Sequence, residues 1–542
     1  MAERLWLENY PVRWNLEYPK ISLYEHIKQT TAESGDLIAL VFMGNEITYQ
    51  KMQENIDRIA AALTDLGVKK GDRVALMLPN CPEYVYTYYA CMKLGAIVVQ
   101  MNPLYMPDEV EFIIKDSGAK YFVGVDAAIE SFQQARKKVD LEQVIIVRLF
   151  WTEVEGENLW YDELLQNYPP ESPEAEIDPQ EDVAVFQYTG GTTGLPRACM
   201  LTHYNLVANV TQIKEWLKEW VDKVFAEKGR QHFGIGILPL FHSYGMTCVM
   251  NTGLSLPSAQ VLIPQFNADA LLQAIVQYRP ALFPAVPTIY IAVANHPQLA
   301  DYQIHGIVEI CNSGAAPMPV DVMARFERDT GSKMLEGYGL SEASPVTHCN
   351  PLFGVRKPGS VGLPYPDTDC KIVDLVDGVT EMPVGEEGEL LIKGPQVMKG
   401  YWNRPEETAE TLRDGWLYTG DIAKMDEEGY FYIVDRKKDL VITGGYNVYP
   451  REVDEVLFEH PKIAEAVTAG IPDDYYGEVL KAYVVLKEGE EATAEEIIEF
   501  CSQKLARYKL PRQVEFRSEL PKSAIGKILR RELVKKEQQK KQ

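Results

Sequence analysis

The chain has 542 residues and a formal net charge of −25. It is too long for a single hydrophobic core, and roughly three to four folding units are expected. It is also too acidic to take nucleic acid as its main partner, because phosphate-backbone binding needs an excess of Lys and Arg.

Apolar residues make up 46% and charged residues 25%, as in ordinary globular proteins. The eight cysteines form no CxxC pair and no Cys/His cluster with zinc spacing. They read as reduced, mostly buried thiols of a cytoplasmic protein.

The N-terminal MAERLWLENYPVRW has no apolar run and is not a signal peptide. EITYQKMQENIDRIAAALTDLG predicts a helix closed by Gly67, and GDRVALMLP a buried strand. The longest apolar stretch, Tyr84 to Met101, carries Lys93 and Gly95 and reads as a buried helix turning into a strand, not a membrane span. YFVGV (121–125) and QVIIV (143–147) are further strands. Such alternation implies an α/β, multidomain fold with largely parallel sheets. Residues 168–182 are acidic and proline-rich, a surface connector. Next comes VAVFQY, a strand running into TGGTTGLPR. Residues 213–225 place Ile213, Trp216, Leu217, Trp220, Val221, Val224 and Phe225 on one helical face. Near residue 435, a strand, a charged hinge-like segment and a glycine turn lead to a compact unit with a helix in REVDEVLFEHP, a strand in EVLKAYVVLK and a helix capped by Thr493. The basic tail KKEQQKKQ is expected to fray.

There is no G-x-x-x-x-G-K-[ST], no complete G-x-G-x-x-G after a strand, no G-x-S-x-G and no H-E-x-x-H. What remains is a set of separated stretches. TGGTTGLPR offers crowded backbone N–H groups and the hydroxyls of Thr189, Thr192 and Thr193, with Arg197 as a cation, all suited to phosphate. GYGLSEASP (337–345) holds Tyr338, able to stack on a base, and Glu342, able to hold Mg²⁺. WLYTGDIA puts Asp421 in an expected loop, where a carboxylate can bind ribose hydroxyls. Lys527 follows a glycine near the C-terminus. Taken singly, the last three read equally well as ordinary turns or a solvated lysine.

In combination and in this order, YTGGTTGLPRA, PLFHSYG, NSGAAPM, GYGLSE, GELLIKGP, KGYW, WLYTGD, DRKKDLVITGGYNVYPREVDE and PKSAIGKILRREL resemble the adenylate-forming, acyl-activating superfamily. Its members include acyl-CoA synthetases, luciferases and peptide-synthetase adenylation domains. The likeness spans nearly the whole chain and is strongest to bacterial long-chain fatty-acid–CoA ligases. It implies a large N-terminal domain (1–434) of α/β subdomains with a β-barrel-like portion, and a small mobile α+β domain (435–542). It also implies activation of a carboxylic acid by ATP to an acyl-adenylate, then transfer to coenzyme A.

By this resemblance, Thr189, Gly190, Gly191, Thr192, Thr193 and Gly194 cradle the β- and γ-phosphates, with Arg197 as supporting cation. Gly314, Ala315, Glu336, Gly337 and Tyr338 border adenine, and Ser341 meets the α-phosphate. Asp421 and Arg436 bind ribose. Glu342, with Thr189, holds Mg²⁺. Lys527 bridges the acyl carboxylate and the α-phosphate, and His242 borders the reacting acid. Asp435 is the hinge, and Gly444 and Gly445 flank the coenzyme A path. Where the family ends its phosphate loop in Pro-Lys-Gly, this chain has Pro196-Arg197-Ala198. Arg keeps the charge but changes reach and geometry, which bears on ATP affinity.

The expected substrates are ATP, a long-chain fatty acid and coenzyme A. An aryl or cinnamoyl acid is the alternative acid, and a luciferase-like oxidase the alternative class. The 213–225 helix is expected to pack on the body, against the alternatives of covering the acyl tunnel or touching a membrane weakly and peripherally. Monomer and homodimer both stay open.

Overall fold

The computed structural model describes residues 4–8, 10–154, 156, 158–190, 196–229, 231–443, 446–473, 476–523 and 526–541. Two large sheets have parallel cores. One runs Gly400–Tyr401, Pro196–Thr202, Val183–Gly190, Ile97–Gln100, Arg73–Met77, Tyr121–Val125, Gln143–Val147, Leu159–Trp160. The other has nine strands, with Ile310–Ser313 and Lys333–Gly339 paired in parallel at its centre. Their strands read as near-continuous apolar runs because helices cover both faces. The barrel-like portion is a five-stranded antiparallel sheet built from Asp369–Val373, Gly388–Lys393, Leu412–Arg413, Trp416–Met425 and Phe431–Arg436. A fourth sheet, all beyond residue 440, carries the helices Pro450–Phe458, Ala494–Ser502 and Arg530–Lys541.

The apolar stretch after residue 80 is a helix, Pro82–Leu94, closed by Gly95 at φ +67°, and the strand Ile97–Gln100 follows. The helix is buried nearly all round, and Lys93 is accommodated by an ion pair to Asp57 at 2.6 Å under the ring of Tyr24. No helix among the described residues is long and apolar enough to cross a membrane.

Two expectations need correction. EIT belongs to a strand, Asn45–Thr48, because it pairs antiparallel with Ile38–Phe42; the helix starts at Tyr49, with the Thr48 hydroxyl accepting from Lys51 N at 3.2 Å. The basic tail does not fray before Lys541. Its helix is held by Leu533, buried against Val467 and Tyr483, and by Lys481 to Glu537 at 3.1 Å.

Residues 213–225 lie in a longer helix, His203–Lys228. Its apolar face is buried, with Trp216 edge-on to Tyr10 at 5.8 Å and against Tyr365 at 4.9 Å. The face packs on the body, as expected, so this helix presents no apolar stripe to a membrane. The apolar clusters on either side of residue 435 are separate: among the described residues, none includes members from both. Trp216→Ala is expected to cost about 3–5 kcal/mol, read as a lowered urea midpoint, with partition onto phosphatidylcholine vesicles unchanged.

Candidate active site

A cavity of about 1030 Å³ opens where the three sheets of the large body meet the small body. Its lining brings together Thr189 and Arg197 from the first sheet, Gly337 and Tyr338 from the second, Asp421 and Arg436 from the third, and Lys527 from the small body. Arg197, Arg413, Arg436, Lys437, Lys438, Lys522 and Lys527 face it against Glu109, Glu342, Glu389, Glu410 and Asp421. A strongly acidic protein thus presents a locally positive hollow, which is what a polyanionic substrate requires.

At one end of the cavity, Asp421 is not in a loop. It lies within the strand Trp416–Met425, at a register irregularity beside Gly420, whose φ is +70°. The irregularity aims its side chain inward. It faces Arg436 across the antiparallel pair, with Arg436 Nε 3.3 Å from Oδ1, while the Tyr338 hydroxyl donates to Oδ2 at 2.6 Å. Gly314 and Ala315 follow the strand Ile310–Ser313 and also line the cavity. A Cβ on Gly314 would come within 3.1 Å of the Tyr244 ring, so glycine keeps the two in contact. Glu336 does not line the cavity. It is buried, accepts from Gly359 N at 2.8 Å, and burial pushes its carboxyl up to about 7.

At the other end stand His242, Ser341 and Lys527. His242 Nδ1 accepts from Tyr244 N at 3.2 Å, which puts the ring proton on Nε2. Burial, with the charge of Lys527 added, lowers its pKa to about 4, so the imidazole is neutral. The Ser341 and Ser243 hydroxyls are 3.1 Å apart. The peptide N–H of Lys527 donates to Ser523 Oγ at 3.2 Å, beside an antiparallel bridge between Lys522 and Ile528. Burial and then the neighbouring Arg436 lower its pKa to about 8. The preceding Gly526, at φ +75°, lies against the large body; a Cβ there would be 2.5 Å from Thr288 Oγ1.

The phosphate-loop residues Gly191, Thr192, Thr193 and Gly194, and the turn glycines Gly444 and Gly445, lie outside the described residues. The flanking strands, Val183–Gly190 and Pro196–Thr202, pair antiparallel, with Thr189 opposite Arg197. Among the described residues, a strand and not a helix therefore follows this segment, unlike in a Walker site. Glu342 Oε1 accepts from the Tyr401 hydroxyl at 2.8 Å. Among the described residues no group of three or more His, Cys, Asp or Glu could hold a metal. A single carboxylate fits Mg²⁺ that brings its remaining oxygens from water and nucleotide phosphates.

Sequence reasoning missed Tyr401, Ser243, Glu407 and Lys438 as site residues. The first two lie in the quoted stretches KGYW and HSYG, which flagged the neighbourhood but not the contact. Asp435 is buried in the strand Phe431–Arg436, facing away from the cavity; its Oδ2 accepts from Arg451 N at 3.1 Å, and Arg530 Nη1 is 3.4 Å from Oδ1.

Residues 27–402 match the AMP-binding enzyme family, and residues 452–527 match the AMP-binding enzyme C-terminal domain. The chain is 44% identical to a long-chain-fatty-acid–CoA ligase of Bacillus subtilis, covering 99% of this chain and 98% of that protein. It is 36% identical to the long-chain-fatty-acid–CoA ligase of Escherichia coli O6:H1, with 98% of each covered. An anthranilate CoA ligase solved with anthranoyl-AMP superposes with a TM-score of 0.86 at 26% identity, over 96% of this chain and 98% of that one. With most of its length in one family match and near full-length likeness to these ligases, the chain belongs to the AMP-binding enzyme family.

Proposed function

We propose that the protein joins a long-chain fatty acid to coenzyme A through an acyl-adenylate, at the expense of ATP. The observation that carries this reading is the meeting of Lys527 with the Tyr338–Asp421–Arg436 cluster and the neutral His242 around one cavity. The likeness to ligases named for long-chain fatty acids supports the choice of acid.

In the first step a carboxylate oxygen attacks the α-phosphorus, and the bond to pyrophosphate breaks. Two anions approach, so oriented positive charge must offset their repulsion. Lys527 does this as a charge on a long stem, placed beside Arg436 and opposite Ser341. His242, neutral with its proton on Nε2, donates toward the acid without adding a charge. Asp421 accepts from the ribose hydroxyls, and Tyr338 lies along the base. Mg²⁺ held at Glu342, with Thr189 alongside, would neutralise charge on the phosphates. In the second step the coenzyme A sulfur attacks the acyl carbonyl, AMP leaves with the bonding pair, and the thiol proton passes to solvent.

The large domain spans 1–434 and the small one 435–542 in this reading, hinged at Asp435. The separate apolar cores on either side of residue 435 support it. Rotation would withdraw Lys527 and bring Gly444 and Gly445 to the thiol path. The enzyme works in the cytoplasm, with any membrane engagement weak and peripheral.

Lys527→Ala is expected to lower adenylate formation by about 10²-fold or more, measured by pyrophosphate release, and largely to spare thioesterification of supplied acyl-AMP. Gly526→Ala should do likewise, because its Cβ meets Thr288. Equal loss of both half-reactions in both variants would remove the two-conformation reading. A pH profile gives a second check. The protonated lysine is the competent form and its pKa lies at about 8, so kcat/KM for adenylation should fall as pH rises through that value. In Lys527→Arg the alkaline limb should disappear. The acid itself is tested by pyrophosphate release over saturated acids of graded length and aryl acids, with and without coenzyme A. The similarity to an anthranilate ligase makes the aryl arm the informative one; activity confined to it would overturn the fatty-acid reading.

A further inference from the structure

Arg197 ends the phosphate loop, yet its side chain is committed elsewhere. The strand Pro196–Thr202 pairs with Gly400–Tyr401, which sets Cys199 opposite Tyr401. Arg197, two residues before Cys199, lies on the same face and becomes the diagonal neighbour of Tyr401. Its guanidinium sits 4.1 Å from the centroid of the Tyr401 ring, and its Nη1 donates to Glu407 Oε2 at 2.9 Å. Glu407 is fixed in turn: Arg404 Nε lies 3.7 Å from its Oε1, and Arg404 Nη2 donates to Asp116 Oδ1 at 2.8 Å. The side chain of Arg197 is only 15% exposed.

Tyr401 is therefore held at three points. Its peptide N–H donates to Thr408 Oγ1 at 2.9 Å, its ring face is covered by Arg197, and its hydroxyl donates to Glu342 Oε1 at 2.8 Å. We infer that Arg197 is a positioning residue for Glu342: clamped by Glu407, it fixes the Tyr401 ring so that the phenol holds one carboxylate oxygen and presents the other to the magnesium of bound MgATP, and it does not grip the phosphates itself.

The chemistry of the side chain argues for this assignment. A guanidinium is planar, so it can lie flat on an aromatic ring while an N–H in its plane reaches a carboxylate. An ammonium cannot do both with the same geometry. A phosphate that drew the guanidinium away would break its contacts with Glu407 and the ring. Its Nε meets no acceptor among the described residues; recruitment of this or another of its N–H groups by a phosphate is the competing role, and the test detects it. The lysine usual at this place in the family is thus not equivalent to arginine here, because here the cation has an aromatic face and a carboxylate to satisfy together.

The inference rests on Glu342 as the metal ligand, and the test separates the two. Mn²⁺ binding to the full chain with a non-hydrolysable ATP analogue is followed by electron paramagnetic resonance. Affinity for the same analogue in EDTA is followed by calorimetry. Arg197→Lys and Tyr401→Phe should each weaken Mn²⁺ binding by about 10-fold while changing metal-free nucleotide affinity less than about twofold. The double variant should be no worse than either single one, because both act through one hydroxyl. Tyr401→Phe keeps the ring and its packing, so it reports even if an Arg197 variant folds poorly. If Arg197→Lys weakens the metal-free nucleotide and spares Mn²⁺, Arg197 is a phosphate contact and the inference fails. If Glu342→Gln weakens Mn²⁺ binding while Arg197→Lys and Tyr401→Phe do not, the clamp alone is overturned. An unaltered Mn²⁺ affinity in Glu342→Gln removes the ligand reading and the inference with it.

Discussion

The pairing of Asp421 with Arg436, opposite each other across two antiparallel strands, is where the nucleotide side of the cavity and the small body are joined. Successive residues of a strand point to opposite faces. Arg436 therefore turns into the cavity while Asp435, one residue earlier, turns toward Arg451 and Arg530 of the small body. The two sides of one strand end serve the two tasks, and neither residue can shift register without disturbing the other. The irregularity at Gly420 gives Asp421 its inward aim without breaking the pairing further along, where Lys424 still faces Tyr432.

Charge is managed in the same local way. The chain as a whole is strongly acidic, so the cavity has to assemble cations against the general field. Besides Arg436 with Asp421, three of the seven are paired at their own edge of the site among the described residues: Arg197 with Glu407, Lys437 with Glu389 at 3.0 Å, Lys522 with Glu465 at 2.6 Å. Lys527 differs. Burial, and then the charges of Arg436 and Lys438, lower its affinity for a proton. A lysine that holds its proton loosely in the empty cavity gains most when anions arrive. In the proposed mechanism this separates the cations that support the wall from the one that acts on the substrate.

Elements whose pattern is set by near neighbours were legible in the sequence. The strands Tyr121–Val125 and Gln143–Val147 are buried parallel strands, so β-branched runs mark their ends closely. The ordered motifs located Tyr338, Ser341, Asp421, Arg436 and Lys527 at one cavity although they come from different elements. What failed was long-range. EIT became a strand through pairing with Ile38–Phe42, which local helix periodicity cannot register. Asp421 beside a glycine looks like a loop residue until its strand partners are known. The apolar face of 213–225 has the same spacing whether it faces a core, a tunnel or a lipid; Tyr10, Asn350 and Tyr365 decide the matter, and they are far away in the chain. Tyr401 and Glu407 act on Glu342 and Arg197 across 59 and 210 residues of sequence, so KGYW could mark a place but not a contact.

The way the small body meets the large one bears on how easily it can leave. Its own core, built around Val448, Leu457, Ala482 and Ile497, shares no member with the cores below residue 435 among the described residues. In the proposed rotation no core would have to be split, and exposed apolar surface sets most of the cost of such a separation. Polar and steric contacts cross among the described residues: Arg451 Nη1 donates to the carbonyl of Ile433, Lys437 reaches Glu389, and Gly526 rests on Thr288. Polar partners can be exchanged for water at small net cost. The glycine contact is sharper, since it admits the Lys527 segment at one separation and no side chain larger than hydrogen. In the proposed two-step reading, such an interface would place Lys527 for the first reaction and let the small body leave for the second.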